Sequence, residues 1–434
     1  MKHPLLLTIG FILLASLTGS AQSLRLHSYT PGEGLTFSSE NDYQMTLRGY
    51  LQPYFEVKKY TDTNDPDLYP RFRMRRLRLR LTGNAPRQRI DYRFQIDLSG
   101  TSEVGEGESD FLLDAWVAYQ VTKRIKISFG QRATPTDNRE LTMGSQALQL
   151  VERSRVTSAF ASIREFGLFA QGTFRTWKGS YIRPYLTLTN GDGLNAFRED
   201  YGGLKVGGRL DFLPFGLFTN FGQFRQADVM RERTPKLVFG GNMSFNRGMS
   251  SRRGRASGTI LYLNDLNEES LPDYLKYGID FLFKYRGFSA LGEFVGSQAF
   301  VPDDITQRIR NNGTISPNFL VEGEQDVENY VKGRMMLGTG FNLQMGYLFK
   351  NRISVDARYT HLNADQHSFL NNGTFYNRPN YYTMGCSYYL IKGYGAKIQA
   401  SFTLVDAADG SNDINSNPIE GNEWIGRLMA SFAF

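Results

Sequence analysis

The sequence predicts an all-β fold: a transmembrane antiparallel β-barrel of 16–18 strands with short periplasmic turns, long outer loops and an inward third loop. Three observations carry this. Segment after segment alternates apolar and polar with period two, as strands with one buried face do. The joints between these segments alternate between tight and long, the layout of barrels whose two rims differ. The last segment, "NEWIGRLMASFAF", places Trp424, Leu428, Ala430, Phe432 and Phe434 on one face and ends on an aromatic.

The chain of 434 residues opens with "MKHPLLLTIGFILLASLTGSAQS", in which Lys2 precedes an apolar run and small residues follow. That is a secretory signal peptide with cleavage after Ala21. Residues 22–42 form a short periplasmic N-terminal segment, and residues 43–434 the barrel domain. A single cysteine, Cys386, allows no intrachain disulfide, and its alternating neighbours make it a small packed residue. No run after residue 21 is long enough for a spanning helix. Barrel strands need only about 9–11 residues each, so they escape that test.

The alternation can be followed along the chain. Tyr92, Phe94, Ile96 and Leu98 oppose Asp91, Arg93, Gln95 and Asp97, and Leu204, Val206, Leu210 and Phe212 oppose Lys205, Arg209 and Asp211. Ile353, Val355, Ala357 and Tyr359 oppose Ser354, Asp356, Arg358 and Thr360. Tight joints fall at "NAPRQ", "TKR", "WKG", "LPFG", "YRG", "KNR" and "IKG". Long ones fall near 60–69, 101–109, 133–162, 190–201, 226–234, 264–274, 299–333, 365–379 and 407–420. This reading gives 18 strands, or 16 if the weak segment 216–226 is a loop. Tyr43, Tyr60, Trp177, Tyr285, Tyr381 and Trp424 fit interfacial girdles.

The run "RFRMRRLRLRLTG" then acquires a geometry. Leu77, Leu79 and Leu81 face hydrocarbon, where an arginine costs about 2–4 kcal/mol at the midplane, so Arg76, Arg78 and Arg80 point inward. Arg71, Arg73 and Arg75 have the opposite parity. They either face headgroups at the outer rim or turn inward through a β-bulge at Arg75-Arg76.

Collecting the polar faces adds Arg93, Arg183, Arg209 and Arg358 to the lumen, with Arg48, Lys58, Lys126, Arg175, Lys205, Lys284, Lys397 and Arg427. Against them stand Glu56, Asp97, Asp114, Asp211, Asp280 and Asp356. A positive bore with low-dielectric walls concentrates anions. Roughly half of these arginines are expected to brace the wall by pairing with the acids. The third outer joint is too long and apolar for a bare surface loop and is expected to enter the bore. It carries Arg132, Arg139, Arg153, Arg155 and Arg164, the candidates for a constriction.

Other chemistries find little support. The three histidines after residue 21 sit in no nucleophile or zinc motif, so no enzyme and no catalytic residue is expected. "DGSNDINSNPIE" spaces its oxygens like a calcium loop, yet Ile414 stands where the sharp turn needs glycine; no metal or cofactor is expected. Nucleic acid is not an expected partner, because the arginines are spread over many strands.

The segments "GYLQPYF", "RRLRLRLTG", "GQRATP", "VERSRVTSAFASIREFG", "SLPDYLKYGIDFLFKYRGFSALGEF", "GFNLQMGYLF" and "YTMGCSYYL" together resemble the phosphate-selective porin O and P family, in its Bacteroidota-like branch, from about residue 34 to residue 434. The resemblance implies a homotrimeric channel in the outer membrane of a Gram-negative bacterium. In such a channel an arginine ladder feeds a constriction built partly by the third loop, passing phosphate or polyphosphate passively. It supports Arg76, Arg78 and Arg80 on the wall and Arg153, Arg155 and Arg164 in the loop. The terminal aromatic strand resembles the signal read by the barrel-assembly machinery, and outer-membrane lipid surrounds the wall. The alternative is a general non-selective porin, in which Glu152 and Glu165 balance Arg153 and Arg164.

Overall fold

The computed structural model describes residues 25–39, 43–61, 68–100, 111–194, 201–374, 376–413, 416–419 and 421–434. The expected signal peptide, residues 1–21, lies outside them. Among the described residues, sixteen antiparallel strands close a barrel. They are β1 Gln44–Tyr60, β2 Leu68–Ala85, β3 Ile90–Asp97, β4 Leu112–Gln120, β5 Ile125–Ala133, β6 Arg164–Gly172, β7 Tyr181–Thr189 and β8 Lys205–Leu213. There follow β9 Lys236–Asn246, β10 Asp273–Tyr285, β11 Phe288–Phe300, β12 Gly338–Leu348, β13 Ile353–Ala364, β14 Asn380–Tyr389, β15 Ala396–Asp406 and β16 Glu423–Ala433. Each pairs with its sequence neighbour, and β16 pairs with β1 from Glu423↔Tyr60 to Ala433↔Tyr50. Closure leaves none of these sixteen strands at an edge.

The seam is finished by the last residue. Gly49 and Phe434 exchange both backbone bonds, at 3.1 and 2.9 Å. A side chain at Gly49 would lie 2.3 Å from the Phe434 ring, so glycine leaves room for the terminal aromatic where it sits. The segment before the barrel is a hairpin, Arg25–Thr30 with Gly34–Ser38, which extends the sheet beside the start of β1.

The alternation sets the faces as read. Val206, Leu210 and Phe212 are exposed outward while Lys205, Arg209 and Asp211 are buried inward. Cys386 follows its parity too, but its face is the outside of the barrel, so it is exposed and not packed.

Among the described residues the barrel has 16 strands, the lower end of the expected 16–18. Residues 216–226 are no strand: a 3₁₀ turn, Thr219–Phe224, carries Asn220 and Phe221 in the left-handed region, which breaks any extended run. The joint placed at 226–234 on the outer rim therefore belongs to one segment, 214–235, on the short-turn rim. Likewise the stretch between 247 and 272 carries only Leu261–Leu263 as strand, in a small sheet with Gln307–Ile309 and Ile315–Ser316 above the barrel.

The third joint does enter the bore. Leu148, Leu150, Val151, Val156, Ala159 and Phe160 are all essentially inaccessible. Its one α-helix, α1 Arg155–Phe160, is capped by Ser154 Oγ accepting the Thr157 amide. The helix packs with Val295, Met336, Leu362 and Tyr376, while Met143 joins Phe218, Val238 and Leu282 nearer the other rim. Segment 214–235 closes on the loop from below: Gln226 accepts the Gln149 amide at 2.7 Å and donates to Glu140 at 2.9 Å. The loop also packs on the opposite side, where Val151 meets Tyr54 of β1 and Met429 of β16 and Gln399 of β15 donates to the Gln149 carbonyl.

Candidate functional site

The arginine run lines the bore through a break in register. Gln52 faces Arg76 across the sheet, but Pro53 faces Met74, so Arg75 is the extra residue of a bulge. Pro53 has no N–H to give the ladder and suits that place. The bulge reverses parity above it. Phe72 is 83% exposed on the outside, and Arg71, Arg73 and Arg75 join Arg76, Arg78 and Arg80 on the inner side. Of the two expected placements, the inward one holds.

Arg71, Arg73 and Arg75 border a cavity of about 430 Å³ at the long-loop end, walled by β1, β2, β13, β14, β15, β16 and the third loop. Among the described residues its lining holds nine basic side chains, Lys58, Arg71, Arg73, Arg75, Arg153, Arg155, Arg358, Arg378 and Arg427, against Glu56, Glu152 and Glu423. Each of those acids is shared by two bases. Glu56 accepts Arg71 Nε and Arg427 Nε, both at 2.5 Å. Glu152 accepts Arg75 Nε at 2.5 Å and lies 3.5 Å from Arg76. Glu423 meets Lys58 at 2.9 Å and also Arg378. The pairs fix the guanidinium forks without cancelling their charge. Arg73 makes no ion pair among the described residues, and Arg155 lies 4.5 Å over the Tyr376 ring.

Burial alone would favour the neutral acid at Glu152. The guanidiniums of Arg75, Arg76 and Arg427 outweigh it and hold that carboxyl down to about 2.

Below this cavity the expected arginines divide. Arg76 donates to Gln52 at 3.0 Å, and Arg78 bonds Asp97 at 2.6 Å and the Tyr50 hydroxyl at 3.0 Å. Arg93 and Arg164 share Asp114, at 3.7 and 2.9 Å. Arg139 reaches Asp280 at 2.6 Å and Asp211 at 2.8 Å, and Arg209 bonds the same two acids. Gly240 makes room for that cluster, since a side chain there would lie 2.2 Å from Arg209 Nη2. Arg358 holds the Glu152 carbonyl at 2.8 Å and lies 3.8 Å from Glu140. Arg153 is spent on the loop itself, donating to the carbonyls of Glu140 and Met143. Arg183 lies over Phe224, and Arg80, half-buried on the inner face, makes no ion pair among the described residues.

The structure therefore brings Arg153, Arg155 and Arg358 together in the cavity and sets Arg139, Arg164 and Arg209 in the wall as braces. Glu165, weighed as a balance for Arg164, pairs instead with Lys205 at 2.5 Å. Tyr60 and Tyr381 are not girdle residues. Tyr60 is 1% exposed, and both line the cavity. Arg378 escaped the sequence reading, because it lies in a loop where no alternation assigns a face.

The family model of phosphate-selective porin O and P matches residues 50–182. The matched segment holds the arginine run, the bulge and the whole third loop. By structure the chain is similar to Salmonella typhi OmpF, in complex with daunomycin, with TM-score 0.51 and 11% identity over 94% of this chain and 99% of that one. It is also similar to the outer membrane channel DcaP of Acinetobacter baumannii, with TM-score 0.49 and 12% identity over 93% and 100%. No curated protein matches by sequence. The fold is that of an outer-membrane porin.

Proposed function

We propose that this chain is an outer-membrane porin, a passive anion-selective channel for phosphate or polyphosphate. One observation carries the reading: nine basic side chains face three acids at the mouth of the bore, and each acid is shared between two bases. A concave, low-dielectric mouth of that sign concentrates anions and repels cations. Arginine forks match the paired oxygens of phosphate better than lysine ammoniums would. Arg76, Arg78 and Arg80 continue the series down β2, and Arg93, Arg139, Arg153, Arg155, Arg164, Arg183, Arg209 and Arg358 set the remaining field of the bore. Export by the N-terminal leader, insertion through the terminal aromatic strand and assembly as a homotrimer belong to the same reading, as does the absence of a catalytic role.

The pairing of Arg139, Arg164 and Arg209 with wall carboxylates favours a second reading, a general porin whose arginines are mostly structural. The zero-current potential across a KCl gradient in a planar bilayer separates the two. A potential set by chloride, followed by block of the current on phosphate titration, supports the anion channel. A near-zero or cation-set potential supports the general porin.

A further inference from the structure

A second cavity, of about 150 Å³, lies between the third loop and the wall formed by β3 to β8, with Phe224 of segment 214–235 among its lining residues. Its chemistry differs from that of the mouth. Trp116, Phe169, Tyr185 and Phe224 supply aromatic walls, and Arg93 and Arg132 both lie over the Trp116 indole, at 5.2 and 5.1 Å. Arg132 also lies 5.3 Å from the Phe169 ring. The two acids of the lining are already engaged, Asp114 by Arg164 and Arg93, Asp211 by Arg139 and Arg209. Arg132 donates to Ser128 Oγ at 2.7 Å and makes no ion pair among the described residues.

Among the described residues, four buried polar atoms of this lining lack a hydrogen-bond partner: Trp116 Nε1, Tyr185 Oη, Arg93 Nε and Arg209 Nη1. The two guanidinium nitrogens and the indole nitrogen can only donate. A buried donor without an acceptor is unfavourable, so a cluster of them favours an acceptor-rich guest. The aromatic walls and the volume narrow the class, since an apolar cavity of about 150 Å³ admits a benzene-sized ring. Inorganic phosphate would gain nothing from those walls.

We propose that this cavity is a binding site for a small aromatic monocarboxylate, its carboxylate facing Arg132, the Trp116 N–H and the Tyr185 hydroxyl, its ring against Phe169 and Phe224. The site goes beyond the channel reading, because it is defined by equilibrium binding and stands whether or not the bore conducts.

Trp177 and Trp424 are exposed outside the bore, so the double variant W177F/W424F leaves Trp116 as the only tryptophan. In detergent-folded protein of that background, benzoate is expected to change Trp116 emission saturably, and R132Q to weaken the response at least tenfold. Should R132Q not fold, Y185F keeps the ring, removes one donor and is expected to weaken binding several-fold. The proposal is overturned if benzoate gives no saturable change, if the folded variants bind as tightly as the parent, or if phosphate or chloride binds as tightly as benzoate.

Discussion

Arg75 donates its Nε–H to Glu152 at 2.5 Å, tying the extra residue of the β2 bulge to the tip of the third loop. One contact thus joins the device that turns the outer arginines inward to the loop that narrows the bore. Arg76 approaches the same carboxylate from the next position, so the loop is held where the parity reverses.

Neutralising that carboxylate removes one of the three acids at the mouth and leaves both arginines in place. E152Q is expected to raise the chloride-over-potassium permeability ratio, read from the zero-current potential, by a few-fold. Protonation of the native residue produces the same change only in strong acid. With its carboxyl held at about 2 against an ordinary 4.5, Glu152 contributes stability that is fully present above pH 4.5 and is lost as pH falls toward 2. Between pH 7 and pH 5, Glu152 stays ionised and its effect on selectivity is therefore expected to be constant.

Arg73 carries charge without an ion pair among the described residues, and it is exposed to the bore. R73Q is expected to lower anion selectivity with a change in stability within about 0.5 kcal/mol. Reversal potential and thermal unfolding, measured on the same preparation, check both halves.

Deleting Arg75 would restore an uninterrupted ladder between β1 and β2. Pro53 would stay opposite Met74 and Tyr54 opposite Arg73, so Phe72 and Met74 remain outward and Arg71 and Arg73 inward. The deletion is therefore expected to keep a heat-modifiable, folded fraction and to lose the tie between Arg75 and Glu152. R75A, which keeps the bulge and loses the same tie, is expected to fold as well, and a heat-modifiability gel on both variants checks it.

Arg139 fastens the start of the third loop to two strands through Asp211 and Asp280. R139Q would leave two buried carboxylates on Arg209 alone, a loss of roughly 3–5 kcal/mol for a broken buried pair. A lower unfolding temperature and noisier, larger single-channel currents are expected as the loop loosens. G240A, which crowds the same cluster, is expected to act in the same direction.

Much of this was legible in the sequence because strand faces are a local property. Side chains alternate with period two whatever the strand's partner, so the apolar band, the inward Arg76, Arg78 and Arg80 and the closure by a terminal aromatic strand could be read from neighbours alone. The unusual length and apolar content of residues 133–162 likewise announced a loop that must bury itself.

What stayed hidden is long-range. Alternation in 216–226 looked like a strand, and only the packing of that segment beneath the third loop, with Asn220 and Phe221 left-handed, made it a plug. The sequence offered two placements for Arg71, Arg73 and Arg75, and the pairing of β1 with β2 around Pro53 chose one. Arg139 and Asp280 are 141 positions apart, so no spacing could announce their bond. Local chemistry determined which residues face the bore. The closure of the barrel decided which of those charges are spent on one another and which remain for a ligand, because ion pairing depends on distances across the bore that no stretch of sequence encodes.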